Sequence, residues 1–202
     1  MRELLLTSCV VFILISCNQQ STTKNNTSFK NLTATGDSLL LQKANSLTNE
    51  LGLSSITNGV DSFELRIWYG WALTTPHSLI ALKYQAFGWK LTKTDYWYHW
   101  KTKNGRLEYP VADSFYTRSL TLPANISAVV DSIYNSRLDT LPSQRNIPNF
   151  NATVVDGVFY TIETSSAHFY KLIDYGNPDR YNDWHNRKIT DLLTVLSSIG
   201  VQ

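Results

Sequence analysis

Apolar and polar residues alternate along two runs within residues 156–178, and a short serine-containing loop separates the runs. Such alternation predicts a β-hairpin. If Ile162 lies opposite Tyr170, one face of the hairpin is apolar throughout, and the other face carries Glu163 near Lys171. A slip of one residue would scatter the apolar side chains over both faces. We therefore expect this register, with the face that carries Glu163 and Lys171 in solvent.

The first half of the chain shows the same alternation over a longer stretch. Strands are predicted at residues 63–71 and 79–85, and Asn104-Gly105 predicts a two-residue turn between two further strands. The alternation breaks at residues 92–95, which indicates a β-bulge. Because Pro110 has no backbone N–H to donate, its strand is expected to lie at a sheet edge or to end there.

Three segments repeat apolar residues at the spacing of an α-helix. They run from Asp37 or Ser38 to Gly52, over residues 123–138, and from Asn177 to Gly200. With the strands they give the order α-β-β-β-β-α-β-β-α. This order predicts an α+β domain, with a mainly antiparallel sheet built from hairpins and helices packed on one face.

The chain begins with a short apolar run that ends at Leu14-Ile15-Ser16-Cys17. The run is too short to span a bilayer but suits a signal peptide. A leucine three residues before the cysteine and a small residue directly before it resemble the processing site of bacterial lipoproteins. The resemblance implies that residues 1–16 are a signal peptide and that Cys17 carries acyl chains such as palmitate. The protein would then be lipid-anchored in the cell envelope, in the outer membrane of a Gram-negative bacterium.

Residues 17–36 are polar and rich in Ser, Thr and Asn, which predicts a disordered tether. Residues 37–202 are expected to form a single domain. Because Cys9 would leave with the signal peptide and Cys17 would carry lipid, the mature chain has no thiol for a disulfide or for catalysis. The net charge of +2 gives no reason to expect nucleic acid as a partner. No cofactor is expected either.

Two segments of the second half resemble domains of exported bacterial proteins. They are Asp156-Gly157 followed by Tyr160 and Glu163, and Tyr175-Gly176-Asn177-Pro178. This resemblance implies export but carries no activity. A mechanism therefore has to be argued from the residues themselves.

Polar residues around the hairpin form one candidate site. Asp156, Tyr160, Glu163 and His168 combine carboxylates with a phenol and an imidazole, groups that a hydrolase uses for acid–base chemistry. The ordinary interpretation is structural, because Glu163 can pair with Lys171 while Asp156 falls on the other side of the strand. The chain's 4 histidines are scattered without an HExxH pattern, so no metal site is expected.

Residues 90–100 form an unusually aromatic stretch. Tyr96, Tyr98 and Trp100 alternate onto one face of the predicted strand, and Trp97 falls on the other. One helix layer cannot bury both faces, so part of this strand is expected at an exposed edge or in a groove. Aromatic rings stack on sugar rings, although cross-strand packing uses the same residues. We interpret the chain as a non-catalytic binding module for a glycan, a peptide or an envelope protein, with a hydrolase as the alternative.

Overall fold

A computed structural model describes residues 28–71, 75–104, 106–151 and 156–199. Seven strands and three α-helices lie in these ranges, together with three short 3-10 turns. The strands are β1 (Lys30–Asn31), β2 (Phe63–Trp71), β3 (His77–Gln85), β4 (Gly88–Lys103), β5 (Arg106–Ser119), β6 (Val158–Ser166) and β7 (Phe169–Gly176). The helices are α1 (Ser38–Glu50), α2 (Ile126–Ser136) and α3 (Trp184–Ser197).

The strands form one sheet in the order β1-β7-β6-β2-β3-β4-β5. Every neighbouring pair is antiparallel except β1 and β7, which are parallel. The fold is therefore α+β with a mainly antiparallel sheet, as the sequence predicts. Strand β5, which carries Pro110, lies at one edge of the sheet. An edge strand has a neighbouring strand on one side only, so a proline whose nitrogen faces solvent breaks no hydrogen bond of the sheet.

One face of the sheet packs on α2 and α3 and forms the main apolar core. Leu65 and Ile67 of β2 alternate onto this face beside Ile80 and Leu82 of β3, and all four are buried. The apolar residues of each helix recur every three to four positions, so they lie on one side of the helix, and this side packs on the strands. These helix residues are Val129, Ile133, Ile189, Leu192 and Leu196.

The other face of the sheet packs on α1, so the expectation that all helices lie on one face is wrong. Ala44, Leu47 and Leu51 of α1 are buried against this face. Their partners on the sheet are Trp68, Leu79, Tyr96, Tyr170 and Leu172. The sheet is therefore enclosed between two helical layers, which buries both faces of its central strands.

The register predicted for the β6–β7 hairpin is wrong. Ile162 lies opposite Ile173 instead of Tyr170, and Glu163 lies opposite Leu172. The shift turns Tyr170 onto the same face as Glu163. Alternation predicts a register only where one face stays in solvent. Both faces of this hairpin are buried, so its polar residues did not mark a solvent face.

The last residues of the predicted tether belong to the folded domain. Lys30 and Asn31 pair with Phe169 and Tyr170 as strand β1. The predicted signal peptide and Cys17 lie outside the described residues. None of the helices in the described ranges is long and apolar enough to cross a membrane.

Strands β4 and β5 continue beyond His77, the first residue of β3, as a two-stranded extension. The pairing of β4 with β5 shifts at Trp97/Tyr98 and again at Lys101/Thr102. Pairing is continuous through residues 92–95, so the prediction of a bulge there is wrong. The irregularities further along β4 are of the kind that bends a strand pair. The extension contacts α1, where the Ser46 hydroxyl donates a hydrogen bond of 3.2 Å to the Pro110 carbonyl.

Candidate functional site

A cleft of about 250 Å³ opens between α1 and the face of the sheet that α1 covers. We call it the α1 cleft. It lies at the end of the sheet where β2 finishes and β3 begins, beside the start of the β4–β5 extension. Its lining residues are Leu40, Lys43, Ala44, Leu47, Trp68, Tyr69, Gly70, His77, Tyr96, Tyr98, Phe159 and Thr161.

Tyr96 and Tyr98 of β4 form one wall of the α1 cleft, and Trp100 continues this row of aromatic rings beside it. Tyr96 and Tyr98 are stacked with ring centroids 6.1 Å apart, and Trp100 meets Tyr98 edge-on at 6.3 Å. The Lys43 ammonium lies 5.3 Å from the centroid of the Tyr98 ring and 5.9 Å from that of Trp100. At these distances a cation is attracted to the ring faces. Helix α1 thus places a positive charge over the aromatic row.

His77 lines the cleft beside the aromatic row, at the first position of β3, where it pairs with Tyr96 of β4. Its ring lies 4.8 Å from the Tyr98 ring and 5.7 Å from the Tyr96 ring. Gly70 on β2 makes room for the imidazole, because a Cβ at this position would collide with it. Burial lowers the pKa of His77, and the charge of Lys43 lowers it further. At neutral pH the imidazole is therefore uncharged and can both donate and accept a hydrogen bond.

Beside the cleft, Thr161 and Asp174 from β6 and β7 form a hydrogen-bonded pair. The Thr161 hydroxyl donates to the Asp174 carboxylate at 2.8 Å. Burial raises the pKa of Asp174, while the hydrogen bond from Thr161 and the charges of Arg145 and Lys43 act in the opposite direction. The cleft therefore combines an apolar aromatic wall with a cation, a neutral imidazole and a hydroxyl.

A buried polar cluster lies on the same face of the sheet. The Glu163 carboxylate accepts hydrogen bonds from the Trp68 indole at 2.5 Å and from the Tyr170 hydroxyl at 2.7 Å. Arg66 donates to Glu64 at 2.7 Å and to the carbonyl of Ser54 at 2.6 Å. Glu163 is therefore buried and does not form a solvent-exposed pair with Lys171. Trp68 connects the cluster to the α1 cleft, since its ring lines the cleft and its indole N–H donates to Glu163.

The four aromatic residues predicted to bind a ligand have different surroundings. Tyr96 is buried in the core under α1, where it meets Trp68 edge-on at 5.9 Å. Tyr98 is half-buried and lines the cleft. Trp97 and Trp100 are each 37% exposed, and Trp97 points to the opposite side of the strand. Tyr98 is therefore the residue of this set that offers an accessible ring inside the cleft.

The structure does not bring the alternative polar site together. Asp156 precedes β6 and is exposed, whereas His168 follows the other end of that strand, about 30 Å away along nine residues of extended chain. Tyr160 lies on the α2–α3 face, stacked on Tyr69 at 6.2 Å. Glu163 lies buried on the opposite face. Among the described residues, no three His, Cys, Asp or Glu side chains are grouped to hold a metal ion.

Sequence reasoning missed Lys43, His77, Thr161 and Asp174 as members of one site. They come from α1, β3, β6 and β7, and only the packing of α1 on the sheet brings them near one another. Two signals were present in the sequence. Lys43 interrupts the apolar stripe of α1, and Gly70 interrupts β2, where a glycine indicates a close approach of other atoms.

No protein-family model matches this chain, and no curated protein matches it significantly. Function therefore has to be argued from the geometry of the cleft.

Proposed function

We propose that this protein is a lipid-anchored lipoprotein of the bacterial cell envelope whose domain binds a small ligand in the α1 cleft.

 The proposed role of the domain is binding without catalysis. The anchor is Cys17, and its support is the Leu14-Ile15-Ser16-Cys17 pattern at the end of a short apolar run. Two or more acyl chains would give stable membrane attachment, where one chain alone would be marginal.

The proposed ligand is a saccharide unit of a glycan. The observation that carries this proposal is the accessible Tyr98 ring in a cleft that also presents Lys43, His77 and Thr161. A sugar ring has an apolar face, which suits stacking on Tyr98, and hydroxyl groups at its edge, which need hydrogen-bonding partners. The cleft volume of about 250 Å³ suits one small ring, since sites for drug-sized ligands are about 300–1,000 Å³.

Binding is proposed in preference to hydrolysis because of where the carboxylates lie. Asp156 is exposed outside the cleft, and Glu163 is buried with its two oxygens accepting hydrogen bonds from Trp68 and Tyr170. Neither of these carboxylates lines the cleft. Asp174, which lies beside the cleft, accepts the hydrogen bond of Thr161 and is not part of the lining either. A general acid or base has to come within hydrogen-bond reach of the bond that it cleaves.

Ligand binding can be tested with the detergent-solubilised full chain and a panel of mono- and oligosaccharides. Intrinsic fluorescence reports on the cleft because Trp68 and Trp100 lie in or beside it. A saccharide that binds the wild type should bind Tyr98→Ala at least ten times more weakly. Tyr116→Ala is the matched control, because Tyr116 is exposed on edge strand β5 away from the cleft lining. Equal loss in both variants, or binding by no saccharide of the panel, would contradict the saccharide proposal.

The anchor has its own test. Cys17→Ala should leave the precursor unprocessed by the lipoprotein pathway, and metabolic labelling with palmitate should be lost. Normal maturation and continued membrane retention of this variant would contradict the lipoprotein proposal, whatever the result for the cleft.

A further inference from the structure

The end of the sheet opposite the α1 cleft exposes several aromatic side chains. Phe87, in the turn between β3 and β4, is fully exposed, and Tyr84 and Phe29 are partly exposed nearby in the fold. Lys30 and Lys90 are exposed at the same end. We call these five residues the Phe87 end. Their placement follows from the strand pairing, because Gly88 and Gln85 close the β3–β4 ladder there and Lys30 pairs with Phe169 at the start of β7.

The segment that leads back to Cys17 leaves the domain at the Phe87 end. The Lys30 N–H donates to the His168 carbonyl at 3.0 Å, which fixes the start of β1 beside the β6–β7 turn. Phe29 packs closely on Gly59, where a Cβ would lie 2.9 Å from the Phe29 ring. Ten residues lie between Cys17 and Ser28. Over the eleven steps from Cys17 to Ser28, even a fully extended chain would span at most about 36–40 Å.

We propose that the Phe87 end rests on the membrane that holds the lipid anchor. This inference rests on the lipidation of Cys17 proposed above. Phe87 would enter the interfacial region of the bilayer, where aromatic side chains are favourable. Lys30 and Lys90 would contact anionic lipid headgroups, an attraction of electrostatic origin that salt weakens. Exposed Asp61 opposes this attraction in part, and Lys83 lies 3.4 Å from Glu64 and adds little to it.

This orientation has a consequence for the α1 cleft. His77 and Gly70 lie at the far end of β3 and β2 from the Phe87 end, as the pairing of the two strands requires. The nine residues of β3 span about 30 Å. The membrane contact therefore leaves the cleft facing the aqueous compartment, where a soluble glycan or an exposed polymer can reach it.

The experiment uses lipidated protein extracted from the membrane and reconstituted into vesicles of phosphatidylcholine and phosphatidylglycerol. Ala86→Cys places a fluorescent label beside an intact Phe87, and Asp179→Cys places the same label beyond the opposite end of the sheet. Both positions are exposed. Lipids that carry a spin label near the headgroup should quench the label at position 86 several-fold more than the label at position 179. Adding Phe87→Ser to Ala86→Cys should remove most of this difference. Lys90→Glu should reduce the difference in these anionic vesicles but not in vesicles of phosphatidylcholine alone.

Flotation of the vesicles separates the two proposals. If the labelled protein does not float with the vesicles, the anchor fails and the membrane contact fails with it. If the protein floats but the labels at positions 86 and 179 are quenched equally, the anchor stands and the membrane contact is wrong. If position 86 is shielded from the lipids and cross-links to a second copy of the chain, the Phe87 end is a protein interface, which also overturns the proposal.

Discussion

The two faces of the sheet are built from the same strands but have different chemistry. The α2–α3 face is a continuous aliphatic core around Ile67, Ile162 and Ile173. The α1 face divides its apolar contacts into two smaller clusters and buries Glu64, Arg66 and Glu163 on the same side of the sheet. It also contains the α1 cleft with its aromatic wall and uncharged imidazole. One face is thus packed for stability, and the other keeps polar groups and open space.

The difference indicates where function is placed in this fold. Burying apolar surface stabilises the domain, whereas burying charged groups gains little unless every partner is present. Polar groups such as Glu163 and Arg66 are held by specific hydrogen bonds. The side chains of the α1 face are therefore fixed in place although the face keeps an open cleft. An ordered, partly open and polar surface is what a binding site requires.

The largest expected effect comes from the aliphatic face. Ile67→Ala removes a fully buried side chain from the α2–α3 core. We expect a loss of about 2–5 kcal/mol in the free energy of unfolding, measured by urea denaturation. Ligand binding measured well below the melting temperature should stay close to that of the wild type. A loss under about 1 kcal/mol would contradict the assignment of this face as the main core.

A second effect tests the buried cluster of the α1 face. Glu163→Leu leaves the Trp68 indole and the Tyr170 hydroxyl without their acceptor, and each buried donor left unpaired costs about 1–3 kcal/mol. Glu163→Gln keeps an acceptor of similar shape and should cost much less. Urea denaturation of the two variants gives the comparison. Equal losses would mean that the shape of the side chain matters and its hydrogen bonds do not.

Gly70→Ala tests how the cleft is built. The added Cβ would collide with the His77 ring, and overpacking of this kind typically costs about 1–3 kcal/mol. If His77 contacts the ligand, the displaced ring should also weaken binding in a titration. The matched control is His77→Ala combined with Gly70→Ala, which should recover stability without recovering binding. Recovery of both would show that the ligand does not use His77.

The pH dependence of the free energy of unfolding tests the buried carboxyl group of Glu163, which belongs to the α1 face. Burial raises the pKa of Glu163 from its ordinary value of 4.5, against the hydrogen bonds from Trp68 and Tyr170 and the charge of Arg66. The folded state then holds this proton more tightly than the unfolded state. The stabilisation is complete below pH 4.5 and is lost as the pH rises through the raised pKa, by at most about 1.4 kcal/mol per pH unit. Glu163→Gln should flatten this part of the profile in urea denaturation across pH, and an unchanged profile would contradict the assignment.

Much of the α2–α3 face could be predicted from the sequence. The apolar residues of 63–71 alternate with period two, and those of α2 and α3 recur at helical spacing, so each pattern identifies its own buried side. The α+β class follows from these patterns. The apolar patterns do not predict that a second helical layer covers the opposite side of the sheet, because charged residues such as Glu64, Arg66 and Glu163 are typical of a solvent face.

The α1 cleft is harder to predict for the same physical reason. Its members Lys43, His77 and Thr161 lie on three separate elements, and no local pattern records which elements meet. Tyr98 was predicted as a binding residue because aromatic residues crowd β4. Trp97 lies on the other side of the strand, as the alternation predicts, and does not line the cleft. The separation of Asp156 from His168 follows from the length of β6.

The most direct test of the central claim measures stability and ligand binding in two variants, Tyr98→Ala in the α1 cleft and Ile67→Ala in the opposite core. The account predicts that Tyr98→Ala loses at least ten-fold in saccharide affinity while its melting temperature changes little, because the ring is half-exposed. It predicts the reverse for Ile67→Ala, which should lose stability and keep its affinity. If Tyr98→Ala unfolds as easily as Ile67→Ala, or if it binds the ligand as tightly as the wild type, the α1 cleft is not the binding site.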